Sequence, residues 1–233
     1  MKFTVPQTML PDDEHERFDR LHRYFCDQRA AAELIESEWV IRPYWPATAE
    51  YFADPDVHRG IEWWRAGLAL DRIHFEVAQN ELYQLSLNDS WTAYAWSRWL
   101  SSRNETSSGK VTILHVDYHK DLMSPRLIGS GSGFKDILTG AEFMLDEPVA
   151  VKASILSGAI GVGSFMVPFL HQFEDVEVRH LCDGGLNDHG VSNWSLRKTF
   201  LDDDLLQPGR KRPAISFDQS GFADPQTISY SVT

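Results

Sequence analysis

The run VTILHV at 111–116 limits the possible folds of this chain more than any other segment. Four of its six residues are the β-branched types valine, threonine and isoleucine, and the run resembles a strand buried in a parallel sheet. It continues directly into DYHKD, so we expect a strand over 111–117 that ends at Asp117, with Asp121 in the following loop. Because open α/β folds bind ligands at the carboxyl ends of their strands, we expect chemistry at this position.

Other segments of the second half favour an α/β fold with a parallel sheet. Apolar runs at 175–182 and 213–218 are typical of strands, and the apolar stretch at 152–173 predicts a helix. Strands separated by segments of crossover length are typical of parallel sheets. The glycine-rich sequence GSGSG at 129–133 suits either a lid over an elongated ligand or a simple linker.

The first hundred residues are predicted to be mainly helical. Apolar residues recur at spacings of three and four from residue 12 to 40, and capping oxygens ahead of WTAYAWSRWLSS predict a second helix over 90–101. A strand is predicted around 73–78. We therefore divide the chain into a helical N-terminal extension, residues 1–70, packed on an α/β domain formed by residues 71–233.

Charge and cysteine content exclude several classes of function. The net charge is −12, from 34 acidic and 22 basic residues, and no basic stripe interrupts it, which argues against a nucleic-acid partner. The two cysteines have neither metal-binding nor disulfide-framework spacing, which favours a reducing cytoplasm. Neither a signal sequence nor a membrane-spanning run is recognised, so we predict a soluble cytoplasmic protein without a membrane partner.

Polar residues alternate where the strand at 111–117 ends: Asp117, His119 and Asp121. Burying two carboxylates and an imidazole without a positive partner costs several kcal/mol per charge, and a divalent cation would offset that cost. A second apolar strand, ISFD, also ends in an aspartate, so Asp218 is expected to meet Asp117 at the same rim of the sheet. The alternative is that Asp117 caps the next turn while His119 and Asp121 are solvated.

The two strand ends resemble the motifs D-x-H-x-D and S-x-D-x-D of the arginase and ureohydrolase superfamily. The first motif is complete at 117–121, and the second is represented by SFD at 216–218. The closer resemblance is to the peptide arginases, because IHFEVAQNELYQL at 73–85 and GSFMVPFL at 163–170 match two further segments of that branch. The resemblance covers roughly residues 73–230 and implies a three-layer α/β/α fold with a mainly parallel sheet.

The resemblance implies a manganese-dependent hydrolase that converts arginine side chains of a ribosomally made precursor peptide to ornithine and urea. The expected cofactor is a pair of Mn²⁺ ions, which activate water against the guanidinium carbon. The implied metal ligands are Asp117, His119, Asp121, Asp218 and Gln79, the last standing where the family has a histidine. Ser220 replaces the final motif aspartate, and this weakens the second ion's site because a hydroxyl is a poor ligand for a hard cation.

Two further roles are assigned to histidines. Protonation of the leaving amine requires a general acid, and the sequence offers His171 and His189, with His180 as a third candidate. His115 lies on the same strand face as Asp117, about 6.6 Å deeper, so it is expected to form a hydrogen bond near the site instead of binding metal.

Other functions remain open on the sequence alone. A different metal hydrolase, such as a deacetylase or phosphoesterase, would also use the D-x-H element. A non-catalytic peptide-binding relative is suggested by Ser220. His115 and Asp117 imitate the H-x-D of a mononuclear iron oxygenase as well, although those enzymes place the pair within antiparallel barrels.

Overall fold

A computed structural model of the chain describes residues 1–47, 56–103, 109–131, 133–182, 192–201, 204–218 and 227–232. The largest sheet in these segments has five strands: β6 (Val111–Val116), β10 (Val176–Leu181), β11 (Ser192–Leu201), β12 (Arg212–Asp218) and β13 (Thr227–Val232). Their order is β12, β11, β13, β10, β6. Three predicted strands, at 111–117, 175–182 and 213–218, are therefore confirmed as β6, β10 and β12.

The five-stranded sheet is mixed. β10 pairs in parallel with β6 and with β13, whereas β11 pairs antiparallel with both β13 and β12. The remaining described sheets are small and antiparallel. The mixed α/β class is confirmed, and the parallel arrangement expected for the whole sheet holds for its β6, β10 and β13 part.

Among the described residues of β6, β10, β11 and β13, only one face of the sheet is buried. Val178, Leu196 and Tyr230 on that face are fully enclosed, whereas Leu114 and Val116 on the other face are 64% and 71% exposed. β6 was expected to be buried on both faces. That expectation is wrong. β6 is at the edge of the sheet, and among the described residues the helices cover only one of its two faces, so alternate residues of β6 are exposed.

The described part of residues 71–233 contains three α-helices: α3 (Trp91–Ser101), α4 (Pro148–Ser157) and α5 (Met166–Gln172). The helix predicted over 90–101 is confirmed as α3. The single helix predicted over 152–173 is instead two helices, because α4 ends at Gly158, whose φ of +88° is a left-handed conformation that glycine adopts without steric cost.

The N-terminal region contains strands that the sequence did not predict. Its elements are β1 (Phe3–Pro6), α1 (Glu14–Phe25), β2 (Arg29–Ile35), β3 (Glu38–Tyr44) and α2 (Val57–Arg65). The helix predicted from 12 to 40 ends at Phe25, followed by Cys26 with φ of +56°. The segment RAAAELI then pairs antiparallel with β3, which places Trp39 and Ile41 in the core; this pairing overrides the helical propensity of its alanines.

Short elements complete the fold. The strand predicted around 73–78 is a 3-10 helix, Leu70–Phe75, followed by the hairpin of β4 (Val77–Gln79) and β5 (Gln84–Ser86). Of the GSGSG segment, Gly129 and Ser130 are in β7 (Leu127–Ser130) and Gly133 is in β8 (Gly133–Asp136), whereas Ser132 lies outside the described residues. β7 and β8 pair antiparallel, and β8 also pairs with β9 (Glu142–Phe143). None of the described helices combines the length and apolarity needed to cross a bilayer.

Residues from both halves of the chain share one hydrophobic core. Val5 and Phe25 from the first fifty residues are in the same buried cluster as Leu127 and Phe169. The buried Arg126 side chain donates hydrogen bonds to the carbonyl oxygens of Tyr24 and Gly158, so it joins the end of α1 to the end of α4.

Candidate metal centre

The loop after β6 is shaped by its own aspartates. The Asp117 backbone N–H continues the ladder with β10 by donating to the Leu181 carbonyl, and Asp117 Oδ1 then accepts a 2.8 Å hydrogen bond from the His119 N–H. This Asx turn bends the chain back toward the sheet. Asp121 follows with φ of +51°, a left-handed conformation that aspartate tolerates better than most residues.

The turn brings three potential ligands together. Single ligand atoms of His115, Asp117 and Asp121 all lie within 4.8 Å of one another. The Asp121 side chain is 4% exposed, and no described group forms a hydrogen bond with its Oδ2, which lies 3.5 Å from His115 Nε2. A buried carboxylate oxygen without a hydrogen bond is costly, so this atom needs a positive partner.

The charges around Asp121 have the same consequence. Burial raises the pKa of Asp121 to about 6; His115 opposes the shift, and the negative charges of Asp117 and Asp89 add to it. Desolvation, followed by the charge of Asp117, also raises the pKa of Asp89. Without a cation, these carboxylates repel one another. One imidazole and two carboxylates are a donor set suited to a divalent cation such as Mn²⁺, so the residues fit the ion that the sequence suggested.

His115 has a defined hydrogen bond that cation binding would replace. Its Nε2 lies 2.9 Å from the His119 carbonyl oxygen and donates to it in the Nε2-protonated tautomer. Because a nitrogen that carries a proton cannot bind a cation, ligation through Nε2 requires the other tautomer. His115 was expected to form a hydrogen bond near the site instead of binding metal. It forms such a hydrogen bond, but it also belongs to the group of three potential ligands.

Two residues behind the cluster hold the end of β6 in place. His180 Nε2 donates to the Asp117 carbonyl oxygen at 2.7 Å, and the Tyr230 hydroxyl donates to His180 Nδ1 at 2.7 Å. Both side chains are almost completely buried, and burial lowers the pKa of His180, which keeps its imidazole neutral. His180, one of the candidate acids, is committed to these two hydrogen bonds.

The GSF part of GSFMVPFL packs directly against this loop. The Gly163 carbonyl oxygen accepts a 2.8 Å hydrogen bond from the Met123 N–H, and the Phe165 ring lies 6.4 Å from the His115 ring. Gly163 has φ of +72°, and a Cβ there would approach Met123 Sδ to 3.1 Å. Two segments that carry the resemblance, 117–121 and 163–170, are thus neighbours in the structure.

A cavity of about 740 Å³ opens beside the cluster. Two acidic residues, Asp89 and Asp121, line it together with Gly163, Arg23 and Lys120. Pockets of a few hundred to a thousand Å³ are typical of small-molecule sites. The buried Asp121 is thus part of the wall of a cavity.

The structure places other predicted site residues outside the three-residue cluster. His119 is exposed, with Nδ1 at 3.5 Å from Asp117 Oδ1, and lines the cavity. Gln79 is on β4, where its Oε1 accepts a hydrogen bond from Arg98. His171 Nε2 donates to the Ala214 carbonyl oxygen, and burial lowers the pKa of His171, so its proton is used within the fold.

Asp218 was expected to meet Asp117 at the rim of the sheet. β12 and β6 run in the same direction, but three strands separate them, which is about 19 Å in a flat sheet. The loop after β6 nevertheless approaches β12, as shown by the distance of 4.8 Å between Lys120 Nζ and the centroid of the Phe217 ring. The side chain of Asp218, and the whole of His189 and Ser220, lie outside the described residues.

Sequence reasoning missed Asp89, which it treated only as a helix-capping residue, and the role of Tyr230. Asp89 precedes α3 and reaches the cavity through tertiary packing, for which no local pattern gives a signal. The local sequence around Tyr230 gives no signal for its role either, because its hydrogen bond with His180 joins residues 50 positions apart. No protein-family model matches this chain, and no curated protein matches it either.

Proposed function

We propose that this protein is a manganese-dependent hydrolase of the peptide arginase type, which releases urea from arginine side chains of a peptide and leaves ornithine. The observation that carries the proposal is the buried Oδ2 of Asp121, which accepts no hydrogen bond from the described residues and lies beside His115 and Asp117 in the wall of a cavity. A buried carboxylate without a hydrogen bond, close to other carboxylates, favours a cation at that position.

His115, Asp117 and Asp121 are the groups that would hold the cation. When bound, a divalent cation lowers the pKa of water so that a nucleophile exists at neutral pH. His180 supports this site by fixing the Asp117 carbonyl, and Gly163 by fixing the chain just after Asp121. The second ion, which His119 would hold, and the ligand roles of Gln79 and Asp218 belong to the same proposal and derive from the resemblance alone.

The cavity suits an arginine side chain that is part of a longer molecule. Asp89, the lining carboxylate that is not assigned to the cation, would attract a guanidinium group, and the cavity volume of about 740 Å³ exceeds the space that one arginine side chain needs. A precursor peptide is therefore the proposed partner. The three-layer architecture is part of the proposal too; the parallel pairing of β6, β10 and β13 is the observation that agrees with it.

The proposal is tested by incubating the full chain with Mn²⁺ and an arginine-containing peptide. We expect urea in solution and a peptide mass loss of about 42 Da, the difference between a guanidino group and an amine. Asp121→Asn should abolish the reaction and weaken Mn²⁺ binding in calorimetry. Asp175→Asn is the matched control, because Asp175 is exposed and precedes β10 at the opposite end of the sheet.

The same experiment separates the alternatives. Acetate or phosphate released from acetylated or phosphorylated peptides, without urea, would replace the arginase assignment by another metal hydrolase. Peptide binding without any turnover or Mn²⁺ binding would indicate a non-catalytic relative. Full urea release by Asp121→Asn would contradict the site itself.

A further inference from the structure

Two cations lie at the cavity without a described acidic partner. The chain is strongly acidic overall, yet Arg23 and Lys120 both line the cavity beside the proposed metal centre. Within the described part of the chain, no carboxylate is within ion-pair distance of either side chain. Surface cations of an acidic protein usually have acidic neighbours, so these two are available to a ligand.

Lys120 is held in position by aromatic rings and keeps its charge. Its ammonium group lies 4.4 Å from the centroid of the Trp194 ring and 4.8 Å from that of Phe217. A cation–π contact attracts the ammonium group but leaves its positive charge in place, whereas a carboxylate would neutralise it. The half-buried position of Lys120 also limits its motion, so its charge is presented at a defined place.

Arg23 supplies the second cation from another element. It belongs to the last turn of α1 and is exposed, next to His22, whose Nδ1 is engaged by Arg29. Burial, with the charge of Arg29, lowers the pKa of His22, so the permanent cations of the cavity are Arg23 and Lys120. The two come from elements nearly a hundred residues apart, which indicates a feature of the cavity and not of one segment.

The cavity therefore carries both signs of charge. Asp89 would attract the guanidinium group of a substrate, whereas Arg23 and Lys120 would repel a second cationic side chain. A ligand complementary to this arrangement has a guanidinium group and, close to it, a carboxylate.

We propose that Lys120 and Arg23 select substrates that carry a carboxylate near the processed arginine, either an aspartate or glutamate side chain or a free terminal carboxylate. The proposal rests on the arginine hydrolysis proposed above and adds a sequence preference to it. Lys120 and Arg23 act as specificity-determining residues: they contact the flank of the substrate and take no part in the chemistry at the guanidinium carbon.

The test uses capped peptides that differ only in the residues next to a central arginine: glutamate, glutamine or lysine. Urea release gives kcat/KM, and fluorescence anisotropy of labelled peptides gives Kd independently of turnover. We expect glutamate to be preferred over glutamine by about 5- to 10-fold and over lysine by more, with the preference falling at high salt. An uncapped peptide with glutamine neighbours reports on the terminal carboxylate.

Charge-removing variants assign the preference to these residues. Lys120→Gln and Arg23→Gln should each reduce the preference for glutamate to about 2-fold, mainly through Kd. Lys135→Gln, which removes a cation from β8 outside the cavity, should keep it.

The outcomes separate this inference from the proposed function. Urea from all three capped peptides and from the uncapped one, with equal kcat/KM and Kd, would overturn the carboxylate preference and leave the hydrolase intact. A glutamate preference in Kd without urea from any peptide would overturn the hydrolase assignment and support the charge selection. A higher kcat/KM and a lower Kd for the uncapped peptide alone would show that the site recognises a terminal carboxylate.

Discussion

Asp121 is the residue on which the candidate site depends most. It is buried, has a left-handed backbone conformation and leaves one oxygen without a hydrogen bond among the described groups. Such a residue lowers the stability of the metal-free protein and becomes favourable only when a cation arrives. A purely structural aspartate, by contrast, would stabilise the protein without a bound cation.

Asp121→Asn should therefore stabilise the metal-free protein at neutral pH. The folded-state pKa, about 6, is above the unfolded value, so the native state binds the proton more tightly and wild-type stability falls as pH rises from about 4 to 6. Asparagine lacks that charge. Urea unfolding in the presence of a chelator should show similar free energies at pH 4 and an advantage for the variant on the order of 2 kcal/mol at pH 7.

Added Mn²⁺ should reverse that order. Only the wild type gains the stabilisation that binding to the native state provides, so its unfolding midpoint should rise above that of the variant. Equal responses of the two proteins to Mn²⁺ would remove Asp121 from the metal centre.

At the scale of elements, the β7–β8–β9 sheet corrects an interpretation based on composition. GSGSG suggested a flexible lid or linker, but Gly129 and Gly133 are in paired strands, and a Cβ on Gly133 would collide with the Phe143 carbonyl oxygen of β9. Glycine at this position permits the close approach of two backbones. At Gly129 a Cβ would meet nothing within 4 Å.

Gly133→Ala should destabilise the protein, whereas Gly129→Ala should have little effect. The added methyl group at Gly133 forces β8 away from β9, and overpacking of this kind costs about 1–3 kcal/mol. Gly129→Ala, in the paired strand, should change the free energy of unfolding by less than about 1 kcal/mol. Chemical denaturation of both variants compares them directly; equal losses would mean that the Gly133 contact does not matter.

The N-terminal elements show where local patterns fail. Residues 30–35 have a helical composition, and the helix predicted from 12 to 40 included them, yet they form β2 because β3 offers a partner whose Trp39 and Ile41 fill the core. By contrast, α3 was predicted correctly, because its apolar residues have helical spacing and Trp91 and Ala93 are buried; the N-cap residue Ser90 forms no side-chain capping hydrogen bond.

For the whole molecule, the elements from β1 to β3 are part of the main core, whereas Ile61 of α2 packs in a second, smaller cluster. Tyr24 donates a 2.8 Å hydrogen bond to the buried Asp204, and Arg126 bonds to the Tyr24 carbonyl oxygen. Val5 and Phe25 pack in the same cluster as residues of the α/β region. These contacts join sequence positions that are up to 180 residues apart.

A fragment of residues 71–233 should therefore fail to unfold cooperatively. Removing the N-terminal elements uncovers apolar core surface and leaves the buried Arg126 and Asp204 without their Tyr24 partners, at a cost that exceeds typical domain stability. Near-ultraviolet circular dichroism during urea unfolding tests this against the full chain. A sharp transition in the fragment would establish residues 71–233 as an independent domain.

The sequence by itself determined the strand at 111–116, the polar groups that follow it and several other elements, because these depend on local patterns of apolar and capping residues. Tertiary structure alone decided that His115 joins Asp117 and Asp121 while His119 is exposed, because the Asx turn and the left-handed Asp121 set the side-chain directions. It also placed three strands between β12 and β6. Strand order depends on pairing between segments distant in sequence, which no local pattern encodes.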